Sequence, residues 1–277
     1  MTPRCAVAAR ERGDQLFGTA APGSRWLLVE HAGPWPRRAF EASPVLTWVA
    51  SRAVAAGVRA TLIRRPGRAV PSETRAYAIV DARPGREGIH WGTFVSESEL
   101  LEVPLELTGP ASTEPVHLVC AHGRHDTCCA VEGRPVAAAL ADAYPGSTWE
   151  CSHVGGDRFS ANVVLLPHGL YYGTLDRSSA LAVADAYRAG RVVPSLLRGR
   201  SAFPPSVQAA QHYARLDTDD DRVDAFAPLS TETLDPQTVR VRLDGATITV
   251  RAGWSEPAVL TCSAGRPEVA RVFERVQ

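Results

Sequence analysis

A chain of 277 residues, 45% hydrophobic and 22% charged, is long enough to bury a sizeable core and has room for more than one domain. Thirty basic residues balance thirty acidic ones, so no overall basic charge points to a nucleic-acid partner. The opening "MTPRCAVAARERGDQLFG" carries no apolar signal region, and runs such as "VASRAVAAGV" and "ANVVLLP" fall far short of a membrane span. The expectation is a cytoplasmic protein with reduced thiols and no membrane partner. All the basic residues are arginines, which reads as compositional bias towards Arg, Ala and Pro.

"RWLLVEHAGPW" (25–35) reads as a buried strand that ends in a Gly-Pro turn. "PVLTWVASRAVAAGV" (44–58) has apolar residues at helical spacing, with Ser43 as N-cap. "RATLIRR" and "RAYAIVDA" are short β-type runs. The turn-rich "ELTGPASTEP" (106–115) closes this first block. The second block resembles the first in style. "PVHLVCAHG" is a strand ending on Cys120, "RPVAAALADAYPG" (134–146) a helix with Pro near its start, and "TWECSHVG" a strand. "NVVLLPHGLYYGTL" (162–175) reads as a hairpin, and "SSALAVADAYRAG" (178–190) as another helix. That order suits a thioredoxin-like α/β layout.

"PPSVQAAQHYARLDTDDD" (204–221) reads as a helix running into a solvated acidic end. "TVRVRLDGATITVRA" (238–252) alternates across an Asp-Gly turn, a strong hairpin signal, and "AVLTCSAG" reads as a possible third strand. The expected class is therefore α/β, thioredoxin-like, with a small C-terminal β-hairpin extension. Its parts are residues 1–110, 111–215 and 216–277.

Six cysteines in a cytosolic chain favour metal or redox chemistry over a disulfide framework. Four of them are clustered: Cys120, Cys128, Cys129 and Cys151. Cys5 and Cys262 are remote in sequence and read as ordinary small residues. Cys120 ends a strand, and Cys128 and Cys129 fall just before the following helix, where α/β sheets build their sites. The spacing is not CxxC, so neither a thioredoxin dithiol nor a zinc ribbon is directly indicated. Strand alternation puts Trp149, Cys151 and His153 on one face, within reach of one metal centre. Gly155 and Gly156 then bend the chain ahead of Asp157, a candidate ligand or support for a ligand imidazole. His122 and His125 read as loop histidines. Three chemistries fit these residues: a metal or iron–sulfur centre, a thiol–disulfide oxidoreductase, and a structural zinc site.

"CAHGRHDTCCAVEGRPVA" followed by "ECSHVGGDRFSANVVLLPHGLYYG" resembles the sucrase/ferredoxin-like family of thioredoxin-like ferredoxins, as do "RWLLVEHAGPW" and "PPSVQAAQHYAR". The resemblance covers roughly residues 5–215. It implies a [2Fe–2S] cluster serving electron transfer with an unidentified reductase or other redox partner, in a carrier without catalysis of its own. Nothing in the residues supports the sugar chemistry in the family's name. The family's first ligand pair falls on Cys120 and Cys129. Its second, two histidines separated by three residues, falls on His153 and Asp157, so this chain departs from the pattern. The resemblance thus implies Cys120, Cys129 and His153 as ligands; strand alternation and thiolate chemistry favour Cys151 as the fourth, with Asp157 in its place as the alternative and Cys128 as a further one.

Overall fold

A computed structural model of the chain describes residues 3–67 and 72–276. It is a mixed α/β structure with five α-helices among the described residues: α1 (Cys5–Arg12), α2 (Pro44–Ala55), α3 (Thr127–Ala143), α4 (Arg177–Arg188) and α5 (Pro205–Thr218). Nine strands form one sheet: β1 (Arg25–Glu30), β2 (Arg59–Arg64), β3 (Arg75–Asp81), β4 (Gly88–Phe94), β5 (Val116–Cys120), β6 (Thr148–Cys151), β7 (Val163–Leu166), β8 (Leu170–Tyr172) and β9 (Leu197–Arg200). Their spatial order is β4-β3-β1-β2-β6-β5-β7-β8-β9.

Read outward from the β2/β6 junction, the two halves repeat one plan. β1 and β2 are parallel, as are β5 and β6, and each pair is joined through a helix. An antiparallel strand then flanks the first of each pair, and a second antiparallel strand flanks that one. The halves meet where β2 and β6 run antiparallel. The chain segments on either side of residue 110 thus share one sheet, and the similar style of the two sequence blocks has its counterpart in strand order.

Alternation sorts the apolar residues to two faces. On one face Leu27, Val29, Leu62 and Ile79 pack against Leu46, Val49 and Ala53 of α2, while Val119, Val163 and Leu165 pack against α3 and α4. Ser43 Oγ caps α2 by accepting from Leu46 N at 3.1 Å, a contact worth about 1 kcal/mol. The other face gathers Trp26, Leu28, Ile63, Leu118, Trp149, Val164 and Tyr171. Its sheet is strongly curled. Trp91 on β4 stacks on Trp149 of β6 with ring centroids 5.5 Å apart, although four strand spacings would separate them by about 19 Å in a flat sheet. Arg200 at the far edge likewise pairs with Glu87 beside the opposite edge. The curl wraps the Trp26–Tyr171 face into an interior, which leaves the strand ends as the accessible places for chemistry.

The C-terminal part is larger than a hairpin. β10 (Pro228–Thr233), β11 (Thr238–Leu243), β12 (Ala246–Trp254) and β13 (Arg271–Val276) form a four-stranded antiparallel sheet. The Asp244-Gly245 turn joins β11 to β12 as expected, and α5 packs Val207, Ala210 and Ala214 against this sheet's Val241, Ile248 and Val250. "AVLTCSAG" is not a strand. It belongs to an irregular connection between β12 and β13 whose only ladder contact among the described residues is the Ala258–Glu268 bridge. The helix expected at 134–146 begins earlier, at Thr127, because the Asp126 side chain accepts from Cys128 N at 2.8 Å and caps it there. Cys128 and Cys129 therefore lie in the helix's first turn.

Candidate metal centre

Cys120 is the last residue of β5. Its N–H donates to Asn162 O at 3.0 Å, and the next N–H, of Ala121, donates to Cys151 O at 3.1 Å, so the strand end is held from both sides. Cys129, one turn into α3, comes close because α3 presses its backbone onto the end of β5. A Cβ on Gly133 would lie 2.1 Å from the Cys120 carbonyl oxygen, so only glycine permits this approach. His153 follows β6 by two residues. Asp157 opens the short 3-10 turn Asp157–Phe159, entered through Gly156 at φ 81°.

That loop is set by Arg198, which is wholly buried. Its guanidinium donates to Gly155 O at 2.8 Å, Asn162 Oδ1 at 2.7 Å, Thr19 O at 2.6 Å and Thr19 Oγ1 at 3.1 Å. Asn162 Nδ2 in turn donates to Gly156 O at 2.8 Å. A side chain at residue 156 would meet the guanidinium at 2.4 Å and would also be strained by the positive φ. All four acceptors of Arg198 are neutral. Burial lowers its pKa to about 10, and the Cys120 sulfur is among the groups that oppose this.

The resulting cluster joins two thiols, an imidazole and a carboxylate. The Cys129 thiol donates to Asp157 Oδ1 at 3.2 Å, and His153 Nδ1 lies 3.0 Å from the same oxygen. That nitrogen is buried and off the line of a hydrogen bond, so it has no aligned partner. Ligand atoms of Cys120, Cys129 and His153 lie within 4.8 Å of one another, and so do those of His125, His153 and Asp157. The His125 and His153 rings stack at 3.7 Å, and Ser160 Oγ donates to Cys129 Sγ at 3.6 Å.

The electrostatics follow from this packing. Cys120 is held well below the ordinary thiol range by its contact with the neighbouring Cys129 thiol and, against burial, by His153. Cys129 is pushed up, first by its contact with Cys120 and then by burial. Burial would lower His153, but Asp157 and Cys120 outweigh it and raise the imidazole to about 9. Burial would raise Asp157, yet its contact with His153 keeps the carboxyl below its usual range. The site holds charge while almost closed to water: Cys120, Cys129 and Asp157 are buried, and only the two imidazoles reach solvent.

Of the residues singled out from sequence, Cys120, Cys129, His153 and Asp157 are brought together. Cys151 sits beside Cys120 in the strand register, but its thiol is not among the gathered groups. It fills the apolar interior with Trp149 and Val154, where burial pushes its pKa up. Cys128 turns from the cluster towards Cys5 and Cys262. His125, read from sequence as a loop histidine, lies against His153 and Asp157, and Ser160 was not singled out. The signal for His125 was the clustering of "HGRHD" on the loop between the two cysteines.

Side chains of metal-ligating type, two thiols, imidazoles and a carboxylate, thus gather at the strand ends of a large mixed α/β sheet. The family model described as sucrase/ferredoxin-like matches residues 16–199, and the chain belongs to that family. No curated protein and no solved structure matches it. No helix among the described residues is long and apolar enough to cross a membrane.

Proposed function

We propose that this protein is a thioredoxin-like ferredoxin that carries a [2Fe–2S] cluster and passes electrons to or from a partner oxidoreductase. The observation that carries the reading is the convergence of Cys120, Cys129, His153 and Asp157 at the ends of β5 and β6. The donors fit the group. Two soft thiols suit one iron, an imidazole and a carboxylate suit the other, and the unaligned, buried His153 Nδ1 is a nitrogen in need of a partner. Bound there, the cluster would supply one-electron redox chemistry.

The strand order β6-β5-β7-β8, with α3 inside the parallel pair and α4 after β8, supports a thioredoxin-like reading of the second half. The chain's residues would set the potential. Two thiolates and a carboxylate carry three negative charges, one fewer than four thiolates, and buried Arg198 adds a positive charge behind Cys120. Both effects favour the reduced state relative to a four-cysteine ferredoxin. The partly exposed His125 and His153 edge is where a partner would approach.

A thiol oxidoreductase is the second reading, favoured by the unequal pair of Cys120, held below the ordinary thiol range, and Cys129, pushed above it. The burial of both sulfurs argues against it, since exchange needs access. The test is anaerobic purification followed by iron and acid-labile sulfide assays and a visible spectrum. Two irons and two sulfides per chain, lost in Cys120→Ser, are expected. A protein free of sulfide, even after reconstitution with iron and sulfide, would overturn the proposal.

A further inference from the structure

A second cluster stands on the opposite side of the first turn of α3. Cys5, Cys128 and Cys262 form a triangle with Sγ–Sγ separations of 3.6 Å (5–128), 3.3 Å (128–262) and 3.5 Å (5–262). Both carboxylate oxygens of Asp126 lie 3.8 Å from Cys5 Sγ. One ligand atom from each of the four residues falls within 4.8 Å of all the others. We propose that Cys5, Cys128, Cys262 and Asp126 bind a single Zn²⁺ ion, at a site separate from that of Cys120 and Cys129.

The size of the cluster selects a single ion. A tetrahedral zinc with bonds of about 2.3 Å keeps its sulfurs about 3.8 Å apart, close to the observed triangle. A disulfide would bring two sulfurs to about 2.05 Å and strand the third thiol beside a carboxylate. The donor set of three thiolates and one hard oxygen suits zinc, which accepts both.

Contact with Cys128 and burial push Cys5 up and burial pushes Cys262 up, so thiolates here need support from the fold. Cys5 is the first residue of α1 and Cys128 the second of α3, so two helix N-termini face the triangle. The N-cap of α1, Arg4, contributes no side-chain hydrogen bond. The N–H groups of Cys5 and Ala6 in that first turn favour thiolate at Cys262 and Cys128, against burial. Asp126 is oriented by two backbone donors, Cys128 N on Oδ1 at 2.8 Å and Cys262 N on Oδ2 at 2.6 Å. These are the supporting bonds that fix a metal ligand. Binding would displace the thiol protons to solvent without any change of oxidation state, so affinity should rise with pH. The ion would tie the irregular connection between β12 and β13 to α1 and α3, which lie far from it in sequence.

The experiment uses the full chain with Cys120→Ser and Cys129→Ser, which empties the other centre of thiols and separates this proposal from the ferredoxin reading. Zinc content after dialysis and competition with a chromophoric chelator are measured, and Co²⁺ is substituted to read the ligand field. One zinc per chain and a tetrahedral thiolate–cobalt spectrum are expected. Cys5→Ser, Cys128→Ser and Cys262→Ser should each weaken zinc at least roughly a hundredfold, and Asp126→Asn roughly tenfold. Alkylation of the unmutated chain guards against variants that misfold. Cys262 is the exposed thiol of the six, so zinc should protect it and a chelator should release it to the reagent. Rapid alkylation of Cys262 in the presence of zinc, zinc retained in Cys262→Ser, or a disulfide joining two of the three sulfurs would each overturn the proposal.

Discussion

Replacing Gly133 by alanine sets two effects of opposite sign against each other. In an ordinary helix interior the change stabilises by about 1 kcal/mol, since alanine loses less backbone entropy. Here the new methyl would lie 2.1 Å from the Cys120 carbonyl oxygen and 3.2 Å from its carbon, both backbone atoms that no rotamer change can move. Ordinary contact distance requires α3 and the end of β5 to separate by about 1 Å, an overpacking cost of roughly 1–3 kcal/mol or more. Net destabilisation of up to about 2 kcal/mol or more is expected, and the same shift pulls Cys129 from Cys120. Urea denaturation of the apoprotein reads the first effect, and iron and sulfide content the second. Gly146→Ala is the control, since nothing lies within 4 Å of its added methyl. A Gly133→Ala protein as stable as the parent, with its centre intact, would refute the close approach of α3 to Cys120.

Asp157→Asn removes the carboxylate that faces both His153 and Cys129, and should shorten the lifetime of the bound cluster at least about tenfold. Cys151→Ala should leave that lifetime nearly unchanged, and the reverse ranking would place Cys151 in the ligand set. Buried His117 is lowered to about 4 by burial and then by Arg188, with Nδ1 3.3 Å from Thr148 Oγ1. Its folded pKa lies below the unfolded value near 6.5. Unfolding therefore takes up a proton in that window, and stability falls by about 3 kcal/mol as pH drops from 6.5 to 4. Urea titrations of His117→Phe should lose this leg, and an unchanged acid slope would contradict it. Arg198→Met leaves the Gly155, Thr19 and Asn162 acceptors without their donor. It should cost at least about 2 kcal/mol and loosen the 155–157 loop, seen as lower thermal stability and faster amide exchange there.

Local patterns carried much of the fold. β1, the Ser43-capped α2, the β7–β8 pair and the Asp244-Gly245 hairpin all follow from alternation, helical spacing and turn residues. β4 was illegible because "GIHWGTF" mixes Gly, His and Thr among its apolar residues. α1 was illegible because the residues it buries, Cys5, Ala6 and Ala9, are small and draw no apolar stripe. "AVLTCSAG" has a strand's composition but is placed by Cys262. In the site, Cys120, Cys129, His153 and Asp157 were visible as a motif. Alternation rightly put Cys151 on the same face as Trp149, yet the gathered ligand atoms lie past the strand end, where period two no longer applies. The meeting of Cys5 with Cys262 spans 257 positions, and no local pattern reaches so far.

That same separation orders events during synthesis. Cys5 can meet Cys128 as soon as α3 has left the ribosome, but Cys262 follows 134 residues later. At about 5–20 residues per second this interval lasts roughly 7–27 s. Throughout it the nascent chain presents two of the three thiols beside Asp126, a half-built pair open to oxidation or to a chance metal. The triangle closes only when Cys262 has emerged, after every strand of the nine-stranded sheet has already been made.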